Sequence, residues 1–114
     1  DAAVMRQACF DAFILGNHEF DDGDETLATF LSWLTDTNYH CANNLAVLAA
    51  NVVPGESSPL VGMLGNHTII TVGSEKVGVI GLDVRQKTMV SSSPSHGTYL
   101  LDEATTARRC IAAL

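Results

Sequence analysis

The chain has 114 residues, the length of one domain, and its 46% hydrophobic and 17% charged residues argue against a disordered or repeat protein. Thirteen acidic against six basic residues give a net charge of -7, which argues against a nucleic-acid polymer or an anionic membrane as partner. The longest apolar runs, such as VGVIGL at 77–82, are far shorter than the roughly 20 residues of a membrane span, so we expect no transmembrane segment in this chain.

The first part of the chain predicts a helix, a buried strand and a second helix. Residues 2–10 have a helix-compatible composition, and the apolar run DAFILG at 11–16 is typical of a buried strand. After a polar loop, apolar residues recur at helical spacing, with Asp24 as the expected N-cap. The residues that predict this apolar helix face are Leu27, Phe30, Leu31 and Leu34.

The middle of the chain predicts a second strand and a loop. We expect the strand near residues 39–43, whereas the apolar run LAVLAA at 45–50 fits a short helix or a buried connection. Two prolines and several glycines then indicate a loop over residues 54–66.

The last part predicts a β-hairpin, a loop and a closing helix. The hairpin strands are HTIITV at 67–72 and KVGVIGLDV at 76–84, and residues 85–98 read as a loop. Asp102 is the expected N-cap of the final helix. We expect its packed face to comprise Ala104, Ala107, Ile111 and Leu114. Interleaved strands and helices indicate an α/β fold, and the hairpin favours a mixed sheet.

Three cysteines, Cys9, Cys41 and Cys110, are widely spaced and form no CxxC pair. An odd number cannot pair completely within the chain, and a zinc site would need closer spacing. We interpret Cys9 and Cys110 as small buried hydrophobic residues, since both fall at apolar positions of helical segments.

Other polar motifs have simpler interpretations. The histidines His40, His67 and His96 are dispersed, so we assign them to surface or strand positions. Asn66 begins the sequence NHT, an N-glycosylation sequon that has physical meaning only in a secreted protein. The SSSPS run at 91–95 lacks the context of a nucleophile or phosphate loop and is interpreted as a flexible connection.

The polar loop after the first strand concentrates groups that suit metal binding and proton transfer. Asn17 offers an uncharged oxygen ligand, and His18 can bind a metal, stabilise an oxyanion or protonate a leaving oxygen. Asp21 lies three residues further on, close enough to accept a hydrogen bond from the imidazole ring. From the residues alone, a loop that merely caps the following helix remains an alternative.

The order GNHEFD at 16–21 resembles the motif of the calcineurin-like metallophosphoesterases, and most of all the 5'-nucleotidase family. Further positions resemble that family in the same order along the chain. CAN at 41–43 takes the place of a family strand that reads like SAN, and it is followed by VGVIGL at 77–82, Thr88, and SSP at 92–94. The resemblance therefore extends over nearly the whole chain.

The resemblance implies a role for each residue of the motif. Asn17 matches a metal ligand that lies beside the substrate phosphate, and His18 matches the catalytic histidine that stabilises the phosphoryl transition state. Asp21 matches the acid that pairs with this histidine. Glu19 is expected to support the motif, and Phe20 is expected to pack in the interior.

The resemblance also implies the fold and the extent of the domain. We expect residues 1–114 to be a partial metallophosphoesterase domain, belonging to a four-layer α/β/β/α sandwich with mixed sheets. Three motifs of the family do not occur in this chain: the upstream Asp-x-His motif, the upstream Gly-Asp motif and the downstream Gly-His-x-His motif. The only Gly-Asp pair, Gly23-Asp24, follows the GNHEFD motif instead of preceding it. The chain opens on Asp1 and closes on an apolar helix, so we interpret it as an internal fragment that is inactive by itself.

The expected activity is hydrolysis of a nucleoside 5'-monophosphate by water with two divalent metal ions, such as zinc, manganese or magnesium, most of whose ligands lie outside this chain. Alternative readings are a nucleotide-sugar or cyclic-nucleotide phosphoesterase of the same fold, or an inactive homologue that acts as a binding or surface-interaction protein. The resemblance further implies an extracellular, periplasmic or cell-surface location, and it leaves the number of subunits open.

Overall fold

The computed structural model describes residues 1–36, 41 and 44–114, which form a mixed α/β fold. In chain order the elements are α1 (Ala2–Gln7), β1 (Ala12–Ile14), a 3₁₀ helix (Asn17–Phe20), α2 (Gly23–Leu34), β2 (Ala46–Leu48), β3 (Val52–Val53), β4 (His67–Val72), β5 (Glu75–Ile80), α3 (Arg85–Ser91), β6 (Tyr99–Leu100) and α4 (Glu103–Ala113). The described strands form three two-stranded sheets, one parallel (β1–β2) and two antiparallel (β3–β6 and β4–β5), so both kinds of pairing are present but each described sheet contains only one of them.

The first two strands pair in parallel, with Ala12 opposite Ala46 and Ile14 opposite Leu48. Parallel neighbours need a crossover connection, and α2 lies within it. The predicted apolar face of α2 is confirmed: three leucines are buried in the core and Phe30 packs against it, with its ring centroid 5.9 Å from that of Phe13. The three leucines are Leu27, Leu31 and Leu34.

The second strand lies at Ala46–Leu48, within the run for which we expected a helix or a buried connection. Pairing with β1 and burial of Val47 and Leu48 outweigh the weak helix propensity of this run. The AAN sequence at 49–51, rather than CAN at 41–43, therefore follows the strand. Apart from Cys41, the strand predicted near 39–43 lies outside the described residues.

The β4–β5 hairpin is confirmed over six residue pairs, and its turn contains Gly73 with φ +61°. A positive φ is readily available to glycine, which explains the tight connection. The hairpin joins the first sheet through the backbone, since Gly65 donates to Val47 (2.8 Å) and Ala50 donates to Gly81 (2.7 Å). Gly81 is required here because an added Cβ would lie 2.5 Å from backbone atoms of Leu48.

Asn51 fixes the ends of three strands to one another. Its fully buried side chain donates to the carbonyls of Asp83 (2.8 Å) and Leu101 (3.1 Å) and accepts from the Asp83 amide (2.9 Å). Leu101 also donates to the Asn51 carbonyl, 2.7 Å away. The segments that follow β2, β5 and β6 therefore meet at one buried amide.

The predicted loop at 85–98 is wrong in its first half, because Arg85–Ser91 forms α3. The sequence signal is weak, but the helix is fixed from within by the buried Thr88. Its hydroxyl lies 2.7 Å from the Val84 carbonyl and 3.0 Å from the Asp83 carboxylate.

The closing helix α4 begins as predicted, with the Asp102 carboxylate accepting a hydrogen bond from the Thr105 amide at 2.8 Å. Its packed face is different from the expected one. Thr106 and Cys110, one turn apart, are the buried residues. Ala107 is only half-buried, and the other predicted face residues are exposed: Ala104, Ile111 and Leu114.

Cys9 and Cys41 form a disulfide with a Cα–Cα distance of 5.4 Å. The interpretation of Cys9 as a buried hydrophobic residue is therefore wrong, whereas Cys110 is free and buried as predicted. Sequence spacing could not reveal the pair, because the two cysteines are 32 positions apart and are brought together by the tertiary fold, in which α1 packs on α2. No helix within the described ranges is long and apolar enough to span a membrane.

Candidate functional site

The GNHEFD motif begins where β1 ends. Leu15 still pairs with β2 through its amide, and the chain then turns into the 3₁₀ helix. Glu19 closes the turn, since its carboxylate accepts a hydrogen bond from the Gly16 amide at 2.6 Å. Phe20 is fully buried, so it anchors the motif in the hydrophobic core. Asn17 and His18 occupy the two positions between these anchors.

His18 and Asp21 form a hydrogen bond of 2.8 Å between Nδ1 and Oδ2, which the three-residue spacing predicts. The His18 side chain is 79% exposed, so a ligand can reach its ring. The hydrogen bond from His18 lowers the pKa of Asp21, and a hydrogen bond from Ser92 acts in the same direction, while desolvation opposes both. Asp21 is therefore a carboxylate that occupies Nδ1 and leaves Nε2 for a ligand.

Asn17 is half-buried, and its amide nitrogen is buried without a hydrogen-bond partner among the described residues. An unpaired N–H donor beside an exposed imidazole can bind an acceptor oxygen of a ligand, because buried polar atoms normally find partners. No group of three or more His, Cys, Asp and Glu side chains in the described part of the chain could hold a metal ion. The side-chain oxygen of Asn17 can supply one ligand of a metal site, whereas its amide nitrogen can only donate a hydrogen bond; further metal ligands would have to come from elsewhere.

The segment after α3, here named the serine loop (residues 92–98), contacts the motif directly. Ser92 donates from Oγ to Asp21 Oδ1 at 3.2 Å, and the Ser93 amide donates to the Phe20 carbonyl at 3.0 Å. The interpretation of residues 91–95 as a flexible connection is wrong, because Ser91 ends α3 and the following residues are bonded to the motif. Sequence reasoning missed Ser92, which lies 71 residues from its partner.

A fully buried carboxylate, Asp24, joins the serine loop to α2 and to the loop before β4. It accepts hydrogen bonds from the Ser95 amide (2.8 Å), the Thr98 hydroxyl (2.6 Å) and the Ser58 hydroxyl. The expectation that Asp24 is the N-cap is wrong: Asp22 occupies that position without a side-chain cap. The hydroxyl of Ser95 instead accepts from the Asp24 amide at 3.0 Å and so caps α2 from another segment.

A second, exposed contact lies beside this one. His96 bonds through Nε2 to the Glu25 carboxylate, and its Nδ1 lies 3.3 Å from the Ser57 hydroxyl. The hydrogen bond from His96 lowers the pKa of Glu25. His96 and His67 therefore occupy the loop and strand positions predicted for them, while His40 lies outside the described residues.

Comparison with known proteins gives relatives over nearly the whole chain. No family model matches the chain. It is 44% identical over 109 residues to a Treponema pallidum protein named "Probable 5'-nucleotidase". The matched region covers 96% of this chain and 17% of that protein. It is 43% identical over 108 residues to "NAD 5'-nucleotidase" of Haemophilus influenzae, which covers 95% of this chain and 16% of that protein. The chain thus spans about one sixth of the length of these relatives.

The backbone agrees with solved structures of the same kind. The structure of the Haemophilus influenzae NAD nucleotidase superposes with a TM-score of 0.82 over 99% of this chain and 18% of that chain, at 42% identity. The structure of a 5'-nucleotidase precursor from Thermus thermophilus superposes with a TM-score of 0.83 over 100% of this chain and 20% of that chain, at 32% identity.

Proposed function

Over the region that it spans, the chain belongs to the 5'-nucleotidase family, and on this premise we propose that the protein containing it hydrolyses nucleotides to release phosphate, with nucleoside 5'-monophosphates as its substrates. The observation that carries the proposal is the His18–Asp21 pair, 2.8 Å apart, presented on an exposed turn at the end of β1. An imidazole that a carboxylate orients and that a ligand can reach is suited to proton transfer and to stabilising negative charge.

His18 would act on the substrate through Nε2. With Nδ1 committed to Asp21, the protonated ring directs a proton toward a phosphoryl or leaving-group oxygen and stabilises the negative charge that develops there. The Asp21 carboxylate fixes the ring and stabilises its positive charge. The chain's net charge of -7 would otherwise repel a phosphate ester, so positive charge at the site is essential.

Asn17 would provide one ligand of a metal site through its side-chain oxygen, and its amide nitrogen, which has no partner among the described residues, would donate to a phosphate oxygen beside the catalytic histidine. When bound, two divalent ions such as zinc, manganese or magnesium would supply positive charge against the phosphate and make an attacking water more acidic. Most of their ligands would come from outside this chain.

Residues 1–114 would supply one part of a metallophosphoesterase domain with a four-layer α/β/β/α sandwich. The TM-scores of 0.82 and 0.83 support this assignment, as does the presence of both parallel and antiparallel strand pairs. The Cys9–Cys41 disulfide supports an extracellular, periplasmic or cell-surface location, since disulfides persist in oxidising compartments.

Phosphate release by the full-length protein, supplied with each metal in turn, tests the proposal. We expect release from nucleoside 5'-monophosphates and a loss of roughly 10²-fold or more in kcat for His18→Ala. His67→Gln, on β4, is the matched control and should behave as the wild type. Faster hydrolysis of nucleotide sugars or cyclic nucleotides would reassign the substrate. No phosphate release from any of them, or full activity of His18→Ala, would overturn the proposal.

A further inference from the structure

We propose that Ser92 is a positioning residue for this reaction: its hydroxyl holds the Asp21 carboxylate in the plane from which Asp21 orients His18. The inference rests on the proposed function of the His18–Asp21 pair. Ser92 is on a different segment of the chain from both residues, and its hydroxyl donates to Asp21 Oδ1 at 3.2 Å.

The two oxygens of Asp21 have separate partners. Oδ2 bonds to His18 Nδ1 at 2.8 Å, whereas Oδ1 accepts from Ser92. A carboxylate held at one oxygen can turn about its last side-chain torsion, because that torsion is soft. Hydrogen bonds to both oxygens fix the plane of the group and thereby the direction of the imidazole. The Asp21 side chain is 45% exposed, so water would compete for Oδ1 if the serine hydroxyl were absent.

The Ser92 hydroxyl is held in place by the backbone on both sides. The Ser92 amide donates to the carbonyl of Thr88 (3.3 Å), and the next amide, of Ser93, donates to the carbonyl of Phe20 (3.0 Å). Thr88 and Phe20 are both fully buried. Further along the same loop, Ser95 is bonded to the buried Asp24. The hydroxyl is therefore preorganised toward Asp21, which is the condition for an effective supporting contact.

A residue that acts through Asp21 should change the rate of the chemical step rather than substrate binding. In the full-length protein, with a nucleoside 5'-monophosphate as substrate, we expect Ser92→Ala to lower kcat about 3- to 10-fold, the range for loss of one hydrogen bond. KM should stay within about twofold. Ser92→Thr keeps a hydroxyl at this position and should restore most of the rate. Thermal melting of each variant checks that the fold is retained.

Ser93→Ala is the matched control, because the exposed neighbour contributes only its backbone amide to the motif, which the substitution preserves. It should have wild-type kcat. Equal rates for Ser92→Ala and Ser93→Ala would overturn the proposal. A Ser92→Thr variant as slow as Ser92→Ala would also overturn it, since the hydroxyl would then not be the active group.

A double-mutant cycle identifies the residue through which Ser92 acts. On an Asp21→Asn background, Ser92→Ala should lower kcat no further, because the carboxylate that it positions is already lost. A full additional loss would contradict the proposal. His18→Ala separates the two inferences. If His18→Ala is inactive and Ser92→Ala is unchanged, only the role of Ser92 fails. If His18→Ala is fully active, or the wild type releases no phosphate, both fail.

Discussion

At the scale of single residues, the site depends on a short turn whose closing contact is the Glu19 carboxylate on the Gly16 amide, 2.6 Å away. Glu19→Ala would leave this amide unpaired and would loosen Asn17 and His18, which lie between the two residues. We therefore expect kcat on a nucleoside 5'-monophosphate to fall about 5- to 30-fold, which corresponds to a loss of roughly 1–2 kcal/mol. Glu19→Gln retains an acceptor oxygen and should stay within a few-fold of wild type. A Glu19→Gln variant as impaired as Glu19→Ala would show that the charge, rather than the turn, is required.

A second single residue, Asp83, makes the stability of the fold depend on pH. It is 1% exposed, and burial raises the pKa of its carboxyl above 3.8, with the carboxylates of Glu19 and Glu103 acting in the same direction and the hydrogen bond from Thr88 opposing them. The folded state therefore binds a proton that the unfolded state has already lost. Stability should fall as pH rises from about 4 through the folded-state pKa and should stay at the lower level at neutral pH.

Asp83→Asn should remove this loss, so between pH 4 and pH 7 the melting temperature of the full-length variant should fall less, or rise more, than that of the wild type. Asp102→Asn provides a control of opposite sign. The hydrogen bond from the Thr105 amide lowers the pKa of Asp102, so its contribution is present at neutral pH and is lost as pH falls through the folded-state pKa. Parallel pH profiles for wild type and Asp83→Asn would contradict the account.

At the scale of elements, Asp24 connects α2 to two loops through a network of hydrogen bonds in which its carboxylate is always the acceptor. The Leu60 amide donates to the Ser58 hydroxyl at 3.2 Å, and the Gly55 amide donates to the Thr98 hydroxyl at 3.1 Å. Each hydroxyl has one proton of its own to donate, and both donate to the same oxygen of Asp24. An amide NH₂ group in place of that oxygen would leave both hydroxyl protons without their acceptor.

We therefore expect Asp24→Asn to be nearly as destabilising as Asp24→Ala, by about 1–3 kcal/mol, although asparagine has the same size as aspartate. Thermal melting of the full-length variants measures this. The exposed neighbour Glu25 supplies the control, since Glu25→Gln should cost much less. An Asp24→Asn variant as stable as the wild type would show that the network can reverse its direction.

Whether an element could be predicted depended on how local its cause is. The α2 helix and the β4–β5 hairpin follow from apolar spacing and a turn glycine within one segment, so the sequence predicts both. The strand β2 and the helix α3 depend on distant contacts: β2 pairs with β1, and the Arg85 amide at the start of α3 donates to the Glu103 carboxylate. The GNHEFD turn was visible as a motif, whereas its tie to the serine loop crosses 71 residues and has no local signal.

At the scale of the whole molecule, the Cys9–Cys41 disulfide joins the end of α1 to the segment that precedes β2. The same two parts of the fold also meet where Arg6 bonds to Asp36 at 3.1 Å, after the end of α2. A cross-link between residues 32 apart restricts the unfolded chain and, on the chain-entropy model, stabilises the fold by roughly 3–4 kcal/mol. Its effect should therefore appear as a property of folding rather than of the site.

We expect the double variant Cys9→Ala/Cys41→Ala to lower the melting temperature of the full-length protein. A thiol reductant should lower the melting temperature of the wild type toward that of the double variant, in which this region has no disulfide to reduce. Cys110→Ala serves as the control, because Cys110 is buried and free, so its loss should leave the response to reductant intact. Peptide mapping without reduction should recover Cys9 linked to Cys41. Separate, alkylated peptides from the purified protein would contradict the disulfide and would remove its support for an oxidising compartment.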